Sequence, residues 1–257
     1  MKSRIGYALV FCGIYVLSLL AITPASFVSK ELESQVEGLA LYGVEGTLWS
    51  GELQALEING IRLKNVEWSL SPFALLLGNA RLQFALNSDE LQSDGVVEIG
   101  LLSDSTTLRD VDIRFPIEKY AQQLGVAGFD LSGNIELNLH HLTYQNNLIS
   151  GLSGVLVWYE SGISGALAMG DIQADLEQHD GLLTAILSDR GGPVKLDGDL
   201  SLQGSGHYQF KSILEVRDDS DLSLKQTLRL MGRTVGDNRV EVNTNGQVAL
   251  PVWIKLG

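Results

Sequence analysis

Apolar side chains recur at every second position along most of this 257-residue chain, and that period confines it to β architecture. In Ile135-Glu136-Leu137-Asn138-Leu139 the three apolar residues share one face of an extended strand. Val111-Asp112-Ile113-Arg114-Phe115, Leu82-Gln83-Phe84-Ala85-Leu86, Leu200-Ser201-Leu202 and Val240-Glu241-Val242 have the same form. Between such runs lie Asn59-Gly60, Asp94-Gly95, Asn146-Asn147, Asp180-Gly181 and Asn245-Gly246, pairs suited to the positive φ angles of tight hairpin turns. Alternating strands joined by short turns make an antiparallel sheet with one buried and one wet face. The 28 glycines against 5 prolines suit many turns. Helical crossovers are missing, so a parallel α/β fold is not expected.

Three short helices are expected to interrupt the strands and to lie across the apolar sheet face. Ser71 caps the first, with Pro72 in its first turn, Phe73 to Leu77 as its body and Gly78 as its stop. Pro116 to Leu124 forms the second, ended by Gly125. The third runs from Leu222 to Met231, capped by Ser220 or Asp221 and stopped by Gly232. Its Leu224, Leu228 and Met231 share a face.

A weak internal repeat accompanies this pattern. Val66-Glu67-Trp68 precedes Ala74-Leu75-Leu76-Leu77-Gly78, and Leu86 follows Trp68 by 18 residues. Leu156-Val157-Trp158 precedes Ala166-Leu167-Ala168-Met169-Gly170, and Leu176 follows Trp158 by 18. Two copies of strand, bend and strand account for this, as does chance among residue types this common. A true repeat favours an extended, stacked sheet over a compact barrel.

Before the strands begin, Lys2 and Arg4 precede Ile5 to Ser29, a stretch with no charged side chain. Ile5 to Thr23 as a helix would be about 28 Å long, close to the hydrocarbon thickness of a bilayer. The cations ahead of it keep the amino terminus in the cytoplasm by the positive-inside rule. A secretory signal cut after Ala25 is the competing reading, since Thr23-Pro24-Ala25 offers small residues. The apolar core from Ile5 to Ala21 is 17 residues, longer than the roughly 7–15 of a signal, which favours a retained anchor. Cys12, the only cysteine, falls inside this segment, so the exported part forms no disulfide. The expected fold is therefore mainly β. A cytoplasmic tail (residues 1–4) leads into a single N-terminal transmembrane helix (residues 5–29). An extended antiparallel β-sheet domain with a few short helices follows on the periplasmic side (residues 30–257), repeat-built if the two copies are real.

From Lys30 onward, 16 basic residues stand against 31 acidic ones, a net charge of −15. That charge repels nucleic acid and anionic lipid head groups, and suits plain solubility or a basic protein partner.

The residues offer no constellation for catalysis. There is no G-x-S-x-G, no G-x-x-x-x-G-K-[ST], no G-x-G-x-x-G and no H-E-x-x-H. His140 and His141 are adjacent on an expected strand and point to opposite faces; His179 and His207 stand alone. Asp218, Asp219 and Asp221 lack the glycine and distal glutamate of a calcium loop, and suit a turn into the Leu222 helix. No catalytic residue, cofactor or metal site is expected, and the chain reads as a non-enzyme.

One stretch carries a more specific signal. Val44-Glu45-Gly46-Thr47-Leu48-Trp49-Ser50-Gly51 is followed by Val66-Glu67-Trp68-Ser69-Leu70-Ser71-Pro72 and then Leu75-Leu76-Leu77-Gly78. This G-T-x-W-x-G, x-W-x-L-x-P and L-L-x-G series behind a single anchor resembles the type II secretion system protein N family. The carboxyl end resembles it too, with a short Leu-rich helix ending at Met231-Gly232, a strand from Arg239 to Val242 and a last strand from Gln247 to Ile254. The matching positions are Gly46, Thr47, Trp49, Gly51, Trp68, Pro72 and Gly78. Trp49 and Trp68 are expected as core anchors of the sheet, Gly46 and Gly51 in turns or bulges. The resemblance implies a non-catalytic inner-membrane accessory of the Gram-negative apparatus that moves folded proteins from the periplasm across the outer membrane. Its partners would be other components of that system. The W-x-L-x-P and L-L-x-G pattern is also similar to AsmA-like proteins, which implies a second hypothesis: a periplasmic lipid-handling protein, its lipid ligand lying in an apolar sheet groove.

Overall fold

The computed structural model describes residues 22–58, 61–121, 130–146, 148–165, 167–218, 221–248 and 256. Among them no helix is long and apolar enough to cross a membrane. Ile5 to Ala21 lies outside them. The chain divides into two compact units, Met1–Asp89 and Glu90–Gly257.

In the first unit, helix α1 (Ala25–Gln35) precedes the antiparallel meander β1 (Leu39–Gly46), β2 (Ser50–Ile58), β3 (Ile61–Leu70) and β4 (Asn79–Asn87), with α2 (Pro72–Leu76) between the last two strands. Register aligns Val44, Leu53, Val66 and Leu86 across the four strands, and Leu53, Ala55 and Leu86 are buried. Alternation thus becomes a face, as the period requires. Leu41 N–H donates to Glu33 Oε1 (2.7 Å), so α1 occupies the outer edge of β1. An edge covered in this way cannot pair with another chain.

The second unit comprises β5 (Gln92–Gly100), β6 (Ser105–Pro116), α3 (Ile117–Tyr120), β7 (Leu131–Gln145), β8 (Leu148–Ile163), β9 (Leu167–His179), β10 (Leu182–Asp189), β11 (Val194–Gln203), β12 (His207–Val216), α4 (Leu222–Arg229), β13 (Arg233–Thr234) and β14 (Arg239–Gln247). Strands β5 to β12 pair in sequence order, and β14 then β13 follow β12. Phe115, Ile135, Trp158 and Ile172 form one cross-strand row near the end where α3 and α4 lie. Tyr120 of α3 meets Phe115 edge-on, ring centroids 5.3 Å apart. Leu228 of α4 packs among Ile172, Val194, Leu196, Leu214, Val216 and Val240 and is 1% exposed. Towards the opposite end the same face carries the row Leu108, Leu142, Leu152, Gln178, Leu183, Leu202 and Tyr208, half-buried except for Gln178, whose amide is buried.

Several expectations need correction. Asp94-Gly95 does not turn the chain but lies inside β5 at a register shift. A Cβ on Gly95 would approach Val111 Cγ2 to 2.6 Å, so the glycine serves a bulge and close packing. Asn245-Gly246 lies inside β14, where Gly246 sits opposite Tyr208 and leaves room for its ring. That strand runs on to Gln247, so the expected break after Val242 is absent; residues 249–255 of the expected last strand lie outside the described residues. Asp180 (φ 48°) and Gly181 (φ 76°) do turn β9 into β10, and Asn146 (φ 53°) follows β7. Asn59, Gly60, Asn147 and residues 122–129, including Gly125, lie outside the described residues. Helix α3 ends its regular part at Tyr120, and α4 at Arg229 with Leu230 as C-cap. Both lie on the apolar face as expected, but α2 does not: Phe73 (78%), Leu76 (80%) and Leu77 (81%) point into solvent. Five helical residues between two adjacent strands are too few to fold back over the sheet.

Candidate functional site

The motif positions converge on one end of the first unit's sheet, because a meander brings the β1–β2 and β3–β4 connections to the same end. Gly46 ends β1 at φ 93° and pairs with Gly51 at the start of β2. A Cβ on Gly46 would approach Ser50 O to 2.6 Å. Between them, Thr47 N–H donates to Ser50 O (2.9 Å), and the Thr47 hydroxyl oxygen accepts from Ser50 N–H (3.3 Å). Trp49 O accepts from Leu70 N–H (2.6 Å), which ties this turn to the end of β3. Gly51 lies opposite Trp68, and any side chain there would collide with the indole, 2.7 Å from Cη2, and with the Glu45 carbonyl. Trp49 and Trp68 are each half-buried.

Ser71 Oγ accepts from Ala74 N–H (3.4 Å), with Pro72 as the first residue of α2. Gly78, at φ 81°, closes the helix by donating to Leu75 O (3.0 Å). The sequence did not reveal what else meets here. Thr23 O accepts from Leu48 N–H (3.0 Å) and Pro24 bridges Thr47, so the chain leaving the uncharged N-terminal stretch is pinned to this same turn.

On the other side of the strands, Glu45, Glu52 and Glu67 stand in direct cross-strand register, all exposed. They border a shallow polar depression lined also by Gln54, Asn65 and Asn87. Alternation places each glutamate on a wet face, but only the register shows that they form a row.

Among the described residues, no three His, Cys, Asp or Glu side chains are grouped to hold a metal ion. His140 is exposed, and His141 Nε2 shares a hydrogen bond with Thr143 Oγ1 (2.8 Å). Asp221 is the N-cap of α4, its Oδ1 accepting from Leu224 N–H (2.9 Å), as the acidic turn requires.

The motif residues thus build turns, a helix cap and a glycine–tryptophan contact in a β-meander protein that offers strand edges and faces for contact. The family model for Type II secretion system (T2SS), protein N matches residues 37–243, and the chain belongs to that family. It is 27% identical over 255 residues to the type II secretion system protein N of Vibrio cholerae serotype O1, covering 96% of this chain and 100% of that protein. The type II secretion system protein N of Aeromonas hydrophila is 27% identical over 257 residues, with the same coverage. No solved structure matches.

Proposed function

We propose that this chain is a non-catalytic accessory component of the type II secretion system, held in the inner membrane by its N-terminal apolar segment. Residues 1–4 lie in the cytoplasm, and the β-rich part lies in the periplasm. There it assists export of folded proteins across the outer membrane through contacts with other components of the system. The observation that carries this reading is the family match over residues 37–243, supported by relatives aligned over their whole length. The geometry supplies routes for contact. Strand β14 is paired with β13 only at Val240 and Glu241, so among the described residues no strand lies against its outer edge from Val242 to Gln247. An open edge of this kind accepts a partner strand by main-chain hydrogen bonds. The glutamate row on β1–β3 favours a basic partner surface. Deleting the gene should leave exoproteins trapped in the periplasm; normal secretion would count against the role. Photo-crosslinking probes at Asn243 and Asn245 in intact membranes should capture other secretion-system components.

The row from Leu108 to Tyr208, apolar on every strand but β9, where Gln178 stands, favours one second reading, the AsmA-like lipid-handling protein. Among the described residues, α3 and α4 pack at the far end of that face and leave this row without a helix. Phospholipid captured by a probe at Leu202, or carried by the gently purified protein in native mass spectrometry, would put this reading first. A lipid-free protein would remove it.

A further inference from the structure

The end of the first unit that gathers the motif also carries its most exposed apolar side chains. Phe73, Leu76 and Leu77 are 78–81% exposed and fall at i, i+3 and i+4, on one side of α2. Phe27, in the first turn of α1 beside Pro24, is 80% exposed, and Ile22 69%. Single exposed apolar residues are ordinary, but a cluster on a short projecting helix is not. The segments that form the tip of this end, Ile22–Ser29, Gly46–Gly51 and Trp68–Ala80, contain no charged residue in a chain of net charge −13, and Glu45, Glu52 and Glu67 stand one residue back from it on the wet face of β1–β3. The opposite end of the same unit carries Glu37, Glu57 and Asp89. Thr23 and Pro24, which directly follow the apolar stretch Ile5–Ala21 and Ile22, are tied to this same end through the Thr23–Leu48 hydrogen bond and the Pro24–Thr47 bridge.

We propose that this end docks on the lipid bilayer, with Phe73, Leu76 and Leu77 inserted at the boundary between head groups and acyl chains. The inference rests on the reading that Ile5–Ala21 is a retained anchor. A chain emerging from the hydrocarbon at Ile22 reaches Leu48 within two residues, so the β1–β2 turn stays at the membrane surface. The neighbouring α2 is then held where an apolar face inserts about 5–10 Å. The tip itself presents no charge to anionic head groups, and the Glu45–Glu52–Glu67 row is set one residue behind it.

The test uses the full chain in nanodiscs of phosphatidylethanolamine and phosphatidylglycerol that contain a lipid-borne nitroxide. With Cys12→Ser to remove the only native thiol, a fluorophore is placed at Asn79→Cys, beside α2, or at Asp89→Cys, at the opposite end. Docking predicts quenching at Asn79 on the order of threefold above that at Asp89. Adding Phe73→Ser, Leu76→Ser and Leu77→Ser should bring the two sites level without lowering the thermal midpoint. Equal quenching at both sites, or no response to the serine substitutions, overturns the proposal. So does a photo-probe at Leu76 that captures protein and no phospholipid in intact membranes. Native Cys12, labelled in the unsubstituted chain, reports on the anchor separately. Quenching at Cys12 with none at Asn79 overturns docking alone, whereas no quenching at Cys12 overturns the anchor and docking together.

Discussion

Gly51 tolerates no side chain, because its neighbours are a tryptophan ring on one strand and a backbone carbonyl on the other. The Trp68 indole can swing aside only at the cost of its packing; the Glu45 carbonyl belongs to the β1–β2 ladder and moves only with the strand. Gly51→Ala should therefore destabilise the first unit by roughly 2–3 kcal/mol, read as a lowered urea midpoint. An unchanged midpoint would mean that Trp68 does not lie over Gly51 in solution. In the second unit, Asp189 plays a comparable tying role. Burial alone would raise its carboxyl, yet N–H groups of Leu196 (2.9 Å) and Gly191 (3.1 Å) and the Arg217 guanidinium together hold it below the usual carboxylate range. Because the folded value is the lower one, the stabilisation is complete at neutral pH. It fades as pH falls below the ordinary value of 3.8 and is lost once pH passes through the folded value. Asp189→Asn should lower stability at pH 7 by about 1–3 kcal/mol and flatten the acid limb of a stability-against-pH curve. A variant with the parent's acid limb would show that this carboxylate does not set it.

Strand pairing creates features that no single strand contains. Glu45, Glu52 and Glu67 are unremarkable as wet-face residues, but in register they place like charges directly opposite one another. Glu52→Gln, at the centre of the row, should raise stability by about 0.5 kcal/mol at low salt, with the gain shrinking as salt screens the repulsion. A loss of stability would point to a role for the carboxylate that the row does not display. The same dependence on pairing explains what could be read from the residues alone. Period-two alternation located most strands and their faces, since it needs only local geometry. Turn pairs were less dependable: Asp180-Gly181 turns the chain, while Gly95 and Gly246 sit inside strands because Val111 and Tyr208 press on them from the next strand. The motif glycines and tryptophans were visible as spacings. Their meeting at one sheet end, with Thr23 and Pro24, follows from meander connectivity and register, which local pattern does not encode. Likewise Ser71-Pro72 and Gly78 gave α2 its ends, but whether Phe73 pointed inward depended on how far the helix could reach.

In each unit the strands pair almost wholly with their sequence neighbours, the β12–β14 step being the exception among described residues of the second. Such an arrangement behaves as a row of adjoining interfaces, in which a lesion weakens its neighbours most and distant strands least. Leu228 offers a clean place to test this. It is 1% exposed and anchors α4 on Val194, Leu214, Val216 and Val240, from strands β11, β12 and β14. Leu228→Ala should cost about 3 kcal/mol locally by emptying that contact. Hydrogen exchange measured by mass spectrometry should then speed up in β11, β12, β14 and α4. The central pair β7–β8, whose register spans Leu131 to Gln145 against Leu148 to Ile163, should keep its protection. Were the unit a single cooperative block, the same substitution would accelerate exchange in β7 and β8 by the factor seen in β12, because every amide would open through one global transition. Local loss would mean that an open edge such as β14 can loosen and take up a partner strand while the rest of the sheet stays formed. That property is what an edge-docking component of a secretion machine requires.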